Sequence, residues 1–259
     1  MGDDDMGTYV MSDIHGCFTA FQEMLKKINF NNNDRLIIAG DMIDRGPENH
    51  EMLKWMEKKP ENVEILMGNH EYDFAFEYVP EILERMYSFG DHNFSKLRNV
   101  DPYYDPYGTI RELKKRGVAP GRLEYWANIM RDFPYYRILT VSERRYIIVH
   151  AAYISREKYK KLYGTLRGLE SEYIWNRYAF MYNEGKGDTL VFGHTPTIAS
   201  EGYFADGNIF KADHNGNRFI NIDCGYVHRN RYPNAKLAAI RLEDEAEFYV
   251  SECYPKKST

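Results

Sequence analysis

The sequence predicts one α/β domain spanning residues 1–259, and three observations carry that expectation. Short apolar runs alternate with amphipathic stretches through the first third of the chain, as in consecutive βαβ units feeding one sheet. The end of the chain reads as strands separated by turns. With 259 residues, 43% of them hydrophobic, the chain sits near the upper size for one core and has the apolar residues to fill it.

Residues 8–12 form the first expected strand, followed by a helix on which Phe18, Phe21, Leu25 and Ile28 recur along one face. A second buried strand covers 36–39. Pro47 suits the first turn of another helix with Met52, Leu53 and Met56 inward, and 63–67 gives a third strand. From about 72 to 132 the pattern is mainly helical, interrupted by a polar, Tyr-rich and Pro-containing stretch at 99–108; this region is the expected cap or specificity insertion. Residues 138–141 and 146–149 read as a strand pair, 169–182 as helix and 189–192 as a buried strand. Turn chemistry at 206–208 and 215–217 separates later apolar runs, and 236–242 and 247–251 alternate as strands do.

A formal net charge of −5 provides no broad positive field, which excludes an extended surface for sequence-blind nucleic-acid binding. Cys17, Cys224 and Cys253 stand too far apart for a thiolate zinc site or a redox dithiol, and reduced thiols fit a cytoplasmic protein. No apolar run approaches bilayer length, and the acidic start lacks the basic and apolar regions of a signal peptide. The expectation is a cytoplasmic protein with no membrane partner.

The chemistry gathers where strands end. Asp-Ile-His at 13–15, Gly-Asp-Met-Ile-Asp-Arg-Gly at 40–46 and Gly-Asn-His-Glu at 68–71 follow the first three strands, and later strands run into His150 and His194. Carboxyl ends of neighbouring parallel strands converge on one crevice, so these distant residues are expected to meet. Asp13, His15, Asp41, Asn69, His150 and His194 include no thiolate and suit Mn²⁺, Fe²⁺ or Zn²⁺. Asp41 is the natural bridge: two cations roughly 3.5–4 Å apart repel, and a shared carboxylate with a shared hydroxide lets them coexist.

The three motifs resemble the phosphoprotein phosphatase family, in its bacterial and phage-lambda-like branch, within the calcineurin-like metallophosphoesterases. The resemblance continues through Val-His-Ala at 149–151, Trp-Asn-Arg at 175–177, Gly-His-Thr-Pro at 193–196 and Asn-Ile-Asp-Cys-Gly at 221–225. It implies a central β-sandwich of two mixed sheets flanked by helices. It also implies that Asp13, His15 and Asp41 hold one metal while Asp41, Asn69, His150 and His194 hold the other, Mn²⁺ being preferred with Fe or Zn as alternatives. His70 becomes the general acid and Asp44 the carboxylate that fixes its ring; a carboxylate partner would offset the cations' pressure to deprotonate it. Arg45 and Arg177 become phosphate clamps, since a guanidinium fork matches phosphoryl oxygens, with Asn69 also among the substrate contacts.

The expected activity is hydrolysis of a phosphomonoester, foremost as a serine/threonine protein phosphatase acting on a phosphorylated protein or small phosphoester. A dinucleoside polyphosphate hydrolase of the diadenosine tetraphosphate type is the alternative, and a non-catalytic binding scaffold the third reading. Asp44 tilts the choice to the first, because symmetrical diadenosine tetraphosphatases tend to lack that aspartate; Ala-Ala after His150, where eukaryotic protein phosphatases have Gly-Gly, separates the chain from those enzymes. Other residues have blander readings. His50, His92, His214 and His228 lack strand-end context, 229–231 reads as a solvated loop, 213–217 as a turn rather than a calcium loop, and Cys17 as a packed thiol. The tyrosines from 103 to 136 suit cap packing and base stacking equally.

Overall fold

Period-two burial organises the two five-stranded sheets of the computed structural model, which describes residues 6–88, 102–179, 187–198 and 203–252. The first sheet has the order β10-β9-β1-β2-β3, from β1 (Thr8–Met11), β2 (Arg35–Ile38), β3 (Val63–Ile65), β9 (Leu237–Arg241) and β10 (Glu247–Val250). The second has the order β4-β5-β6-β8-β7, from β4 (Tyr136–Val141), β5 (Arg144–Val149), β6 (Thr189–Phe192), β7 (Phe210–His214) and β8 (Asn217–Asn221). Both are mixed. β1, β2 and β3 run parallel with β9 and β10 added antiparallel, while β5, β6 and β8 run parallel between antiparallel β4 and β7.

Alternate residues serve two cores. Val10, Ile37, Ile148, Val191, Ile220 and Ile240 fill the space between the sheets, whereas Met11, Ile38, Val149 and Phe192 point outward to the helices. Because both faces are covered, these strands read as continuous apolar runs, and each fully buried Val or Ile contributes roughly 1.5–3 kcal/mol. The expected sandwich of two mixed sheets flanked by helices is the observed fold.

Helix α1 (Phe18–Lys27) lies against β9 and β10, burying Ala20, Phe21 and Met24. Helix α2 (Asn49–Glu57) begins two residues after Pro47 and packs on α1, burying Met52, Leu53 and Met56 as expected. The short α3 (Asn69–Tyr72) leads into a π-helical turn at Asp73–Tyr78 and then α4 (Val79–Ser88). Pro80 accounts for the wide turn. In the π register the Val79 N–H reaches the Phe74 carbonyl, leaving Ala75 facing a proline with no N–H. The Arg131 guanidinium takes the Ala75 oxygen instead, at 2.8 and 3.1 Å.

Arg131 ends α6 (Pro120–Arg131), which with α5 (Thr109–Lys115) makes up the later part of the helical 72–132 region and packs on α2. Trp126 on α6 is buried and donates its indole N–H to Glu57 at 3.2 Å. On the other side α8 (Leu169–Trp175) ends before the expected 182; 180–182, like 99–101, His92 and Cys253, lie outside the described residues. Helix α7 (Arg156–Tyr163) escapes the periodicity because Tyr159 alone is buried on it. Ser155 caps it, accepting from Lys158 N at 3.3 Å. The turns at 206–208 and 215–217 are as expected, with Asp206, Gly207, Asn215 and Gly216 at positive φ. No helix among the described residues is long and apolar enough to cross a membrane.

Candidate metal centre

Five strand ends from two sheets supply the site. Asp13 and His15 follow β1, Asp41 follows β2, Asn69 follows β3, His150 follows β5 and His194 follows β6. All six are buried. The chain turns sharply at the strand ends: Asp13, His15, Asp41, Asp44, Arg45 and His194 all have φ between +47° and +72°. Side-chain residues rarely adopt this left-handed region, and its concentration here marks a functional site. Gly40, at φ +82°, has no substitute. A Cβ there would stand 2.6 Å from Gly68 Cα and 2.9 Å from His150 Nδ1, so its absence lets three strand ends close on one another.

Asp41 divides the centre. Its Oδ2 lies 3.6 Å from His15 Nε2 and 3.8 Å from His70 Nε2, while Oδ1 lies 3.4 Å from His150 Nε2. His150 Nε2 is in turn 3.0 Å from Asn69 Oδ1 and 3.2 Å from His194 Nδ1. Asp13 stands 3.8 Å from His15 Nε2 and accepts the His194 backbone N–H at 3.1 Å. Two potential ligand sets share Asp41: His15, Asp41 and His70, and Asp41, His150 and His194.

Backbone carbonyls set the histidine tautomers. His15 Nδ1 donates to Ile43 O at 3.1 Å and His150 Nδ1 to Ala39 O at 2.9 Å, which leaves each Nε2 lone pair facing the cage. Burial, the leading cause, pushes His15, His150 and His194 below the ordinary imidazole range, His194 to about 2, so all three are neutral. Burial, then the neighbouring Asp13 and Glu71, drives Asp41 well above its ordinary value. Neutral imidazoles beside carboxylates crowded into low dielectric are an arrangement that a cation relieves. His70 Nε2, which faces Asp41, and His194 Nε2 are buried without a hydrogen-bond partner among the described residues.

The other sequence-derived residues surround this cage. His70 Nδ1 donates to Asp44 Oδ2 at 2.7 Å, and both side chains are buried. Arg45 NH1 donates to His15 Nε2 at 2.8 Å from an exposed position on the rim. Arg177 is also exposed and reaches His194 O at 3.4 Å and Thr195 Oγ1 at 3.3 Å. The structure thus brings every expected site residue to one region.

Sequence reasoning gave no role to several buried supports. Glu71 accepts from the backbone N–H of Asp41 (2.7 Å), Met42 (2.8 Å), Ile43 (3.3 Å) and Gly68 (3.2 Å), bracing the ligand loop. Burial raises its carboxyl to about 7. Its signal was a charged residue inside an otherwise ligand-rich motif. Asp223, in the Asn-Ile-Asp-Cys-Gly motif, is pushed well above its ordinary value by burial and then by Asp13. Tyr107, one of the tyrosines read equally as cap packing or base stacking, is exposed, with its ring centroid 4.6 Å from that of His70 and 5.2 Å from the Arg45 guanidinium. The solvated-loop expectation for 229–231 holds for the exposed Asn230 and Arg231 but not for Arg229, which is half-buried, with NH1 3.8 Å from Cys17 Sγ and its guanidinium over Tyr226. Tyr226 packs in the core and draws that side chain inward. Burial raises the Cys17 thiol to about 11, in keeping with a packed thiol.

The sequence model of the calcineurin-like phosphoesterases matches residues 6–220. The chain belongs to the calcineurin-like phosphoesterase family. Symmetrical bis(5'-nucleosyl)-tetraphosphatases of Wigglesworthia glossinidia brevipalpis and Chromobacterium violaceum are 43% and 42% identical to it over 75 and 67 residues. These segments are 29% and 26% of this chain and 28% and 24% of the relatives, so the match spans about a quarter of their length. Among solved structures, a metallophosphoesterase from Sphaerobacter thermophilus has a TM-score of 0.54 at 15% identity, covering 96% of this chain and 90% of its own. A protein serine/threonine phosphatase from Saccharomyces cerevisiae has a TM-score of 0.59 at 12% identity, covering 98% and 82%. At such identities the likeness is one of fold.

Calcineurin-like phosphoesterases use binuclear metal centres, and the buried His and Asp groups here could hold metal ions. The donor set of imidazoles, carboxylates and one amide oxygen, without thiolate, suits divalent first-row metals.

Proposed function

We propose that this calcineurin-like phosphoesterase hydrolyses dinucleoside polyphosphates of the diadenosine tetraphosphate type. The observation that carries the chemistry is that Asp41 turns one oxygen to each of two buried imidazole groups, the arrangement a shared ligand requires. Asp13, His15 and Asp41 would hold one cation, and Asp41, Asn69, His150 and His194 the other. When bound, such a pair activates water at neutral pH and offsets charge on the phosphoryl group. The residues of the chain do the rest. Arg45 and Arg177, both exposed beside the cage, bind the phosphate oxygens, and Asn69 also contacts substrate. His70, held as the imidazolium by Asp44 against the burial that lowers its pKa, gives the proton on Nε2 to the departing oxygen and is left neutral.

The similarity to symmetrical tetraphosphatases supports the dinucleotide over the phosphoprotein. So do two aromatic faces at the centre: Tyr107, 40% exposed beside His70, and Trp175, 43% exposed with its ring 6.2 Å from that of His194. Either could stack on a nucleobase, within one domain whose 72–132 region serves as the cap. A serine/threonine protein phosphatase is the second reading, favoured by Asp44. Turnover of diadenosine tetraphosphate, a phosphoserine peptide and p-nitrophenyl phosphate with Mn²⁺ tests the choice. Hydrolysis of the peptide without the dinucleotide would reject the proposal in favour of the second reading, and turnover of none by fully metallated protein would favour a scaffold.

A further inference from the structure

Asp44 has two oxygens, and His70 occupies only one. Oδ2 accepts the imidazole Nδ1–H at 2.7 Å; Oδ1 accepts the hydroxyl of Thr109, a residue 65 positions away at the start of α5. Thr109 is 2% exposed, Asp44 2% and His70 0%, so no bulk solvent competes for these bonds. A buried carboxylate held at both oxygens cannot turn about its Cβ–Cγ bond without breaking one of them. Thr109 therefore restrains the plane of Asp44, and through it the plane and tautomer of His70.

The same helix grips the Asp44 backbone by a second route. Glu112, one turn on from Thr109, accepts from Asn49 Nδ2 at 2.9 Å and from the backbone N–H of Asn49 and His50 at 3.3 and 3.2 Å. Asn49 Oδ1 accepts the Asp44 N–H at 2.7 Å. The start of α5 is itself fixed, since Asp105 accepts from Ile110 N at 2.9 Å and Arg111 N at 3.1 Å, and Gly108 turns the chain at φ +82°.

We propose that Thr109 is a positioning residue for the proton donor: helix α5 orients the Asp44–His70 pair from behind. The inference rests on the reading of His70 as the group that protonates the leaving oxygen as its bond to phosphorus breaks. Two aryl phosphates separate the possibilities. Phenyl phosphate expels a basic phenolate that needs the proton, whereas 2,4-dinitrophenyl phosphate expels one that does not.

With Mn²⁺-loaded protein, the ratio of kcat on phenyl phosphate to kcat on 2,4-dinitrophenyl phosphate is expected to fall about tenfold or more in Thr109→Val. That variant keeps the side-chain shape and removes the hydroxyl. Thr109→Ser restores the ratio, and His70→Asn lowers it further. If His70→Asn slows both substrates equally, the proton-donor reading itself is wrong. If His70→Asn discriminates and Thr109→Val does not, the positioning role alone is overturned. A readout independent of turnover is the downfield proton resonance of His70 Nδ1–H in Zn²⁺-loaded protein, identified by its loss in His70→Asn. It is expected to persist in Thr109→Ser and to shift or broaden in Thr109→Val; an unchanged resonance in Thr109→Val overturns the inference even where neither ester is turned over.

Discussion

Asp41 Oδ1 and His150 Nε2 stand 3.4 Å apart although they belong to different sheets, while the other Asp41 oxygen faces His15 at 3.6 Å. A single carboxylate thus adjoins both ligand groups. Asp41→Asn is expected to remove both bound cations, and His15→Ala only one, when metal equivalents per chain are measured by emission spectroscopy. Equal loss in the two variants would mean that Asp41 is not shared.

His70 faces the cage through Nε2 while Nδ1 is held by Asp44, so geometry alone admits it as proton donor or ligand. The donor reading expects His70→Asn to lower kcat by about 10²–10⁴ with metal content nearly intact. Loss of both metals from that variant would contradict the assignment.

Tyr107 has an exposed face next to His70 and the Arg45 guanidinium. Truncation to Ala should lower kcat/KM for diadenosine tetraphosphate relative to inorganic tripolyphosphate, an anhydride without bases, by roughly five- to tenfold, the low end of what stacking one base provides. Tyr107→Phe should keep the ratio. An unchanged ratio in the Ala variant would show that no base uses this ring.

Asp73, half-buried on the π-helical turn, has its carboxyl raised from an ordinary 3.8 to about 6, chiefly by burial and against the hydroxyl of Tyr78 at 3.2 Å. The folded protein holds this proton to higher pH than the unfolded chain does. The contribution to stability is therefore full below about pH 4 and is lost as pH rises through 6. A fully buried group with this shift would account for about 3 kcal/mol; partial exposure leaves Asp73 well below that. Urea midpoints of wild type and Asp73→Asn at pH 4 and pH 7 are expected to converge at the lower pH and to favour the variant at the higher. Parallel midpoints at both values would rule this out.

Much of the site was legible because the candidate ligands sit at strand ends, where short apolar runs announce both the strand and its terminus. Asp13, His15, Asp41, Asn69, His150 and His194 each follow such a run or its turn, and all six meet. Thr109 was invisible for the opposite reason: it approaches from a helical region whose own pattern reports only its packing, through Ile110, Leu113, Leu123 and Trp126, while Tyr107 was one of a run of tyrosines that composition left open between packing and stacking. Helix α7, with Tyr159 as its one buried residue, shows the same limit. Nor does periodicity divide strands between sheets. β3 and β5 read alike as buried strands, yet they stand in different sheets, and the hydrogen-bonding partners that separate them come from distant sequence. Substrate preference followed Asp44 in the sequence, whereas the relatives matched over about a quarter of their length are symmetrical tetraphosphatases.

Since the cage draws on both layers of the sandwich, the distance between those layers governs its fit to two ions. Ala39 sits between the sheets directly before Gly40 and Asp41, and its carbonyl holds His150. A bulkier side chain at that point would wedge the layers apart, and weakened retention of an ion, measured by chelator competition, should appear while circular dichroism still reports intact strands. In this architecture the spacer between the two layers sets how closely the candidate ligands can draw together.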